Sequence, residues 1–166
     1  MRNRIWTELT QTKHEVEYLR LYSRFQNNVQ RWLNISVLIF SGSGILGWSI
    51  WEKPQLAGIA CAITGAISLI KLISPYFIMS NQEVKKLNDY YAQLGDYYIK
   101  VERLWFDNEA GNLDLNSDSQ PLYAIVQEGN SLHHEYSELS IIHFKKMIQI
   151  ADNHSRSYLS NTFKHP

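Results

Sequence analysis

The alternation of apolar and polar positions divides this chain into two regimes. In three segments apolar residues recur every three or four positions against a polar background, the signature of amphipathic helices. Ile5, Leu9, Val16, Leu19, Tyr22, Phe25 and Val29 mark the first, over residues 5–31. Neither proline nor glycine interrupts it, so the helix is expected to continue past residue 31 without a break. Val84, Leu87, Tyr91, Leu94, Tyr98, Val101 and Trp105 mark the second, alternately three and four apart. That is a heptad seam of about three repeats, and it predicts a bundle or oligomer contact. The spacing leaves open whether the seam closes within one chain or between chains. The third segment carries Leu122, Ile125, Gly129, Leu132, Tyr136, Leu139 and His143. A second line (Ile141, Phe144, Ile148, Ala151) in its latter half predicts a helix that touches two neighbours.

Between the first two segments the periodicity disappears. Residues 32–51 contain no charged side chain, and residues 54–70 are charge-free again. A helix of about 20 residues is ~30 Å long, the thickness of a bilayer's hydrocarbon core. After Lys71 the apolar character resumes as far as Met79, and the polar link between the runs is Glu52-Lys53-Pro54-Gln55. The pattern predicts a transmembrane helical hairpin over residues 32–79, with spans at about 32–51 and 54–77. The alternative, two wholly buried core helices, needs more cover than about 120 other residues with mostly single apolar stripes supply. The expected fold is therefore all-α: a two-span transmembrane helical hairpin with a cytoplasmic bundle of three long amphipathic helices. Residues 1–31 form the N-terminal cytoplasmic helix, and residues 80–166 a helical hairpin with helices at about 80–106 and 120–153. Pro121 starts the last helix, with Ser119 as its N-cap, and the polar tail beyond residue 153 is expected to fray. Asp96 and Lys100 are expected to pair one turn apart.

Flanking charges set the orientation. Arg20, Arg24 and Arg31 precede the hairpin and Lys71, Lys85 and Lys86 follow it, whereas Lys53 is alone on the far side. The positive-inside rule then places both termini in the cytoplasm. Trp32 marks one membrane interface, and Trp48 and Trp51 the other. The first apolar run begins too late, and runs too long, for a signal peptide, so the hairpin is expected to stay in the mature chain.

Composition adds less. Net charge is zero, which removes the concentrated basic field that nucleic-acid binding requires. The single cysteine, Cys61, excludes a disulfide framework within the chain and is expected as a small packing residue. Small residues four apart, Ser43 and Gly47 in the first run and Gly58, Cys61, Ala62 and Gly65 in the second, predict close helix packing. His133, His134 and Glu138 share one segment without forming a metal-ligand motif, and His143 falls on the apolar stripe as a bundle residue. Asp114, Asn116 and Asp118 imitate the start of a calcium loop, but Ser119 and Ile125 stand where that loop needs glycine and glutamate. No phosphate loop, nucleophile elbow or dinucleotide fingerprint is found, and neither catalysis nor a cofactor is expected. The informative polar residues lie along the first span and at its end, where Asn34, Ser41, Trp48 and Glu52 share one helical face. Such a face turns away from lipid, either as a hydrogen-bonded helix seam or as the wall of a pore that several copies enclose.

This layout resembles the SLATT families, two-transmembrane effectors associated with nucleotide-second-messenger immunity systems in bacteria. The similarity lies in the N-terminal helix, the tight hairpin and the long helices after it. The resemblance implies a homo-oligomeric effector of the bacterial inner membrane that forms a pore or disrupts the bilayer in antiphage defence, answering to an upstream sensor. A second similarity is to calcium uniporter pores, through Trp48-Ser49-Ile50-Trp51-Glu52-Lys53-Pro54. Ser49 stands where that family has aspartate and Lys53 is an extra residue beside the glutamate, both unfavourable to a calcium-selective carboxylate ring. A third expectation, from a different class, is a membrane-anchored scaffold whose cytoplasmic helices dock a partner.

Overall fold

The computed structural model describes residues 2–50, 65, 69, 78–113 and 119–163, the side chains of residues 37–50 excepted. Among the described residues the chain is all-α, with no strand. Helix α1 spans Arg2–Ile50, α2 Asn81–Glu109, α3 Gln120–Glu135 and α4 Lys145–Thr162. The chain forms two compact units, one of Met1–Ser23 with Lys85–Pro166 and the other of Arg24–Val84.

The first unit is a helical bundle. Ile5, Leu9, Leu19 and Tyr22 of α1 are buried with Leu87, Leu94, Val101 and Leu104 of α2, Leu122 and Leu132 of α3, and Ala151 and Leu159 of α4. Each large apolar side chain withdrawn from water contributes about 1.5–3 kcal/mol. In this unit α1 and α2 run antiparallel: Arg2 pairs with Glu109 at 2.8 Å, and the Ser23 hydroxyl donates to Asn88 near the opposite end. The expected seam lies on the inner side of α2, with Leu87, Leu94, Tyr98, Val101 and Trp105 buried and Tyr91 half-buried. Its contacts close within one chain, as when Tyr98 meets Tyr158 of α4. A parallel row on the same side (Tyr90, Tyr97, Leu104) is buried too. The stripe is therefore wider than a two-stranded seam, as a helix with several neighbours requires. α2 ends where Gly111 takes a left-handed φ of 73°, a conformation that glycine adopts without steric cost.

Three expectations for the C-terminal half need correction. The helix expected over 120–153 is two helices, α3 and α4, with non-helical backbone over residues 136–144. The cause is tertiary. The Tyr18 hydroxyl donates to the Ile142 carbonyl at 2.5 Å and accepts the Phe144 N–H at 3.2 Å, while the Tyr22 hydroxyl accepts the Ile142 N–H at 3.4 Å. Backbone groups that a continuous helix would satisfy internally are thus satisfied by two phenols from α1. The tail beyond residue 153 is helical to Thr162, and Phe163 is buried against Trp6, Trp105 and Phe106. Ser119 precedes α3 but its side chain makes no capping bond, although Pro121 does stand in the first turn.

In the unit of Arg24–Val84, two glutamines one turn apart hold the chain just before α2. The buried Gln26 side chain accepts the Met79 N–H at 3.2 Å, and the Gln30 amide donates to the Met79 carbonyl at 2.7 Å. Ser80 and Glu83 then form a reciprocal capping box: the Glu83 N–H donates to Ser80 Oγ at 3.2 Å, and the Ser80 N–H to Glu83 Oε2 at 2.7 Å. Such a cap is worth about 1 kcal/mol to a helix start. α1 continues unbroken beyond residue 31 to Ile50. Among the described residues no helix is long and apolar enough to cross a membrane. The expected hairpin over residues 32–79 lies mostly outside the described residues.

Candidate functional site: a tyrosine–carboxylate ladder beside an open groove

The polar features of the bundle converge on α1, whose Glu8, Lys13, Glu15, Glu17 and Arg20 face its neighbours. The Tyr97 hydroxyl of α2 donates to Glu8 Oε1 at 2.7 Å, and the Tyr90 hydroxyl to Glu15 Oε1 at 2.6 Å. The acceptors are seven residues apart on α1 and the donors seven apart on α2, in opposite chain directions, so the rungs repeat at one heptad. His133 of α3 joins the second rung, with Nδ1 2.9 Å from the Tyr90 oxygen and 3.6 Å from Glu15 Oε1. A third arrangement ties α2 to α4: Tyr98 and Tyr158 both donate to Glu102 Oε1, each at 2.9 Å. Lys13 reaches these rings from α1, its ammonium 3.9 Å from the Tyr158 centroid and 5.1 Å from that of Tyr98.

Burial, reinforced by the adjacent carboxylates, pushes the Tyr90, Tyr97 and Tyr98 phenols far above their ordinary value. Each therefore acts as a neutral donor to a charged acceptor, a bond worth about 1.5–3 kcal/mol in net terms. Burial also pushes Tyr18 up, against the lowering effect of its bond from the Phe144 N–H. The ladder fastens helices together; its phenols are held protonated and are unsuited to giving up protons at neutral pH.

Beside the ladder, Glu17 is 8% exposed with Lys13 Nζ at 3.2 Å and Arg20 Nη2 at 2.5 Å. Arg20 donates onward to His154 Nδ1 of α4 at 3.0 Å. On the same side α1, the non-helical segment and α4 enclose an open groove of about 730 Å³. Leu19, Tyr18, Ile141 and Ile148 give it apolar walls, and His14, Glu15, His143 and the Asp152–Arg156 ion pair lie along it.

The residues singled out from sequence fall in different places. Asn34 is exposed on α1. Ser41, Ser43, Gly47 and Trp48 belong to α1, but their side chains lie outside the described residues, as do Glu52, Gly58, Cys61 and Ala62 entirely. Gly65 is helical, and a Cβ built there meets nothing within 4 Å. The calcium-loop fragment around Asn116 also lies outside the described residues. His133 joins Tyr90, whereas His143 is exposed at the groove, 5.5 Å from the Tyr18 ring. The expected Asp96–Lys100 pair is not made, because Lys100 pairs instead with Glu128 of α3 at 2.5 Å. Sequence reasoning missed the ladder and the capping box. Glu8 and Glu15, Tyr90 and Tyr97 were visible as heptad-spaced pairs, and Ser80-Asn81-Gln82-Glu83 as a helix-start signature.

Compared with known proteins, the chain matches no family model, no curated protein and no solved structure.

Proposed function

We propose that this protein is a homo-oligomeric membrane effector: a hairpin within residues 32–79 enters the bilayer and opens or disrupts it, and the helical bundle holds and regulates that hairpin. The observation that carries the reading is the pair of charge-free runs at 32–51 and 54–70, bordered by tryptophan and joined by a short polar link. Trp32, at the threshold of the first run, is 69% exposed on α1, an arrangement suited to a membrane interface. Asn34, Ser41, Trp48 and Glu52 are the proposed pore-lining residues. The setting, antiphage defence at the bacterial inner membrane with both termini cytoplasmic and a sensor upstream, rests on the resemblance and on the flanking charges. The test is release of a trapped dye from liposomes of bacterial lipid by the purified full-length protein. Dye release that is lost on replacing residues 32–79 with an unrelated two-span hairpin supports the reading; intact oligomers that insert but never release dye overturn it.

A second reading, a membrane-anchored scaffold whose bundle docks a partner, is favoured by the groove between α1 and α4. It predicts that the hairpin replacement leaves function intact.

A further inference from the structure

The outer side of α2 carries a second periodic stripe that the bundle leaves largely open. Ala92, Asp96, Ile99, Arg103 and Phe106 recur three and four apart, and all are exposed. Ile99 is 53% exposed, and Phe106, whose ring also stacks on Phe163 of the bundle at 5.3 Å, is 47% exposed; the two are seven residues apart and seven or fourteen from Ala92. A lone exposed apolar residue needs no explanation, but a heptad row along the face opposite the core is the pattern of a helix–helix contact.

The two charges in this stripe have no ion pair or hydrogen bond among the described residues. Lys100, one turn from Asp96, is occupied by Glu128. Asp96 and Arg103 are two turns apart, roughly 10 Å along one helix, too far to pair with each other. Gly95 flanks the row. A glycine inside a helix costs about 1 kcal/mol relative to alanine, yet a Cβ at Gly95 would meet nothing within 4 Å. Among the described residues nothing accounts for that small residue.

We infer that a second copy of this chain packs on this face, α2 against α2, antiparallel about a two-fold axis at Ile99. The stripe is self-complementary under that operation in both size and charge. Ile99 meets Ile99 of the other copy, and Phe106 settles over the shallow surface at Ala92 and Gly95. Asp96 comes beside Arg103 of the other copy, and each of these contacts occurs twice, as an isologous interface requires. A parallel pairing in register would set Asp96 against Asp96 and Arg103 against Arg103, so charge selects the antiparallel arrangement. This contact goes beyond the proposed function and rests neither on the hairpin nor on pore formation.

The test uses the full-length chain in a Cys61→Ser background. Ile99→Cys, lying on the axis, is expected to give a covalent dimer under mild oxidation, since disulfide formation requires closely opposed Cα atoms. In that background Arg103→Asp, or Asp96→Arg, is expected to reduce dimer yield roughly tenfold, and the double exchange to restore it. Circular dichroism of each variant checks that the bundle still folds, since neither charge has an ion pair or hydrogen bond among the described residues. Absence of the cross-link at position 99, or a folded double exchange as deficient as the single ones, overturns the proposal. Dimers that form without releasing dye from liposomes would retain this contact and remove the pore.

Discussion

The phenol of Tyr97 occupies the space that a side chain at position 129 would fill. A Cβ built on Gly129 lies 2.6 Å from the Tyr97 hydroxyl oxygen and 2.7 Å from its Cζ. The ring cannot swing aside cheaply, because Tyr97 is 1% exposed and its hydroxyl is bound to Glu8. The glycine thus lets α3 approach α2 closely enough to cover the first rung of the ladder.

Gly129→Ala is expected to destabilise the protein by about 1–3 kcal/mol, the cost of overpacking, although alanine is the better helix former. Gly95→Ala, where the added carbon meets nothing within 4 Å in the single chain, is expected to stabilise the fold of the monomer by about 0.5–1 kcal/mol at concentrations where the chain is not dimeric. Urea denaturation of the two variants gives the comparison, and equal effects would contradict the packing account.

Alkaline titration should single out three tyrosines of α2. Tyr90, Tyr97 and Tyr98 have phenols raised above the unfolded value of about 10. The folded chain therefore holds those protons more tightly than the unfolded chain does. Their contribution is fully present below about pH 10 and is lost as pH rises towards the shifted values. Absorbance near 295 nm should show these three ionising only with loss of helicity.

Glu17→Gln leaves Lys13 and Arg20 without their shared counter-charge in a nearly buried site. Removing one member of a buried ion pair costs about 3 kcal/mol at the lower end of the observed range. The expected result is a loss of that size in the unfolding free energy, largely recovered by Glu17→Asp only if the shorter side chain still reaches Lys13.

Tyr18→Phe removes the acceptor of the Phe144 N–H and the donor to the Ile142 carbonyl. These backbone groups are half-buried, so leaving them unsatisfied is expected to cost about 1 kcal/mol, the lower end of the range for buried groups. The effect should be local: amide hydrogen exchange is expected to accelerate over residues 139–144 before it changes in α2. Uniform acceleration throughout the bundle would show that the phenol supports the core generally and does not hold this segment.

Phe163 closes an aromatic cluster, stacked on Phe106 at 5.3 Å and edge-on to Trp6 at 5.7 Å. Phe163→Ala is expected to cost about 3 kcal/mol, as deletion of a buried aromatic does, and to expose the end of α4 to proteolysis. A tail cleaved equally fast in the unmodified protein would show that residues 153–163 are not docked.

Much of this architecture is written in the order of residues. Three- and four-residue spacing determined that the segments after residues 5, 84 and 122 are helical, and it placed Leu87, Leu94, Val101 and Leu122 on buried faces. Gly111 and Pro121 marked a helix end and a helix start, because their backbone restrictions act locally. The absence of charge from residues 32–51 is likewise a property of the sequence alone. What the sequence could not decide was which partner each polar group takes. Lys100 had an acidic neighbour one turn away on its own helix and was drawn instead to Glu128 across the bundle. The periodicity through residues 136–144 suited a helix, yet Tyr18 and Tyr22 offered the backbone other hydrogen bonds and the helix broke. Local spacing fixes which face a side chain occupies, but a hydrogen bond also depends on what packing brings opposite that face, and that partner stands 28 positions away for Lys100 and 124 for Tyr18.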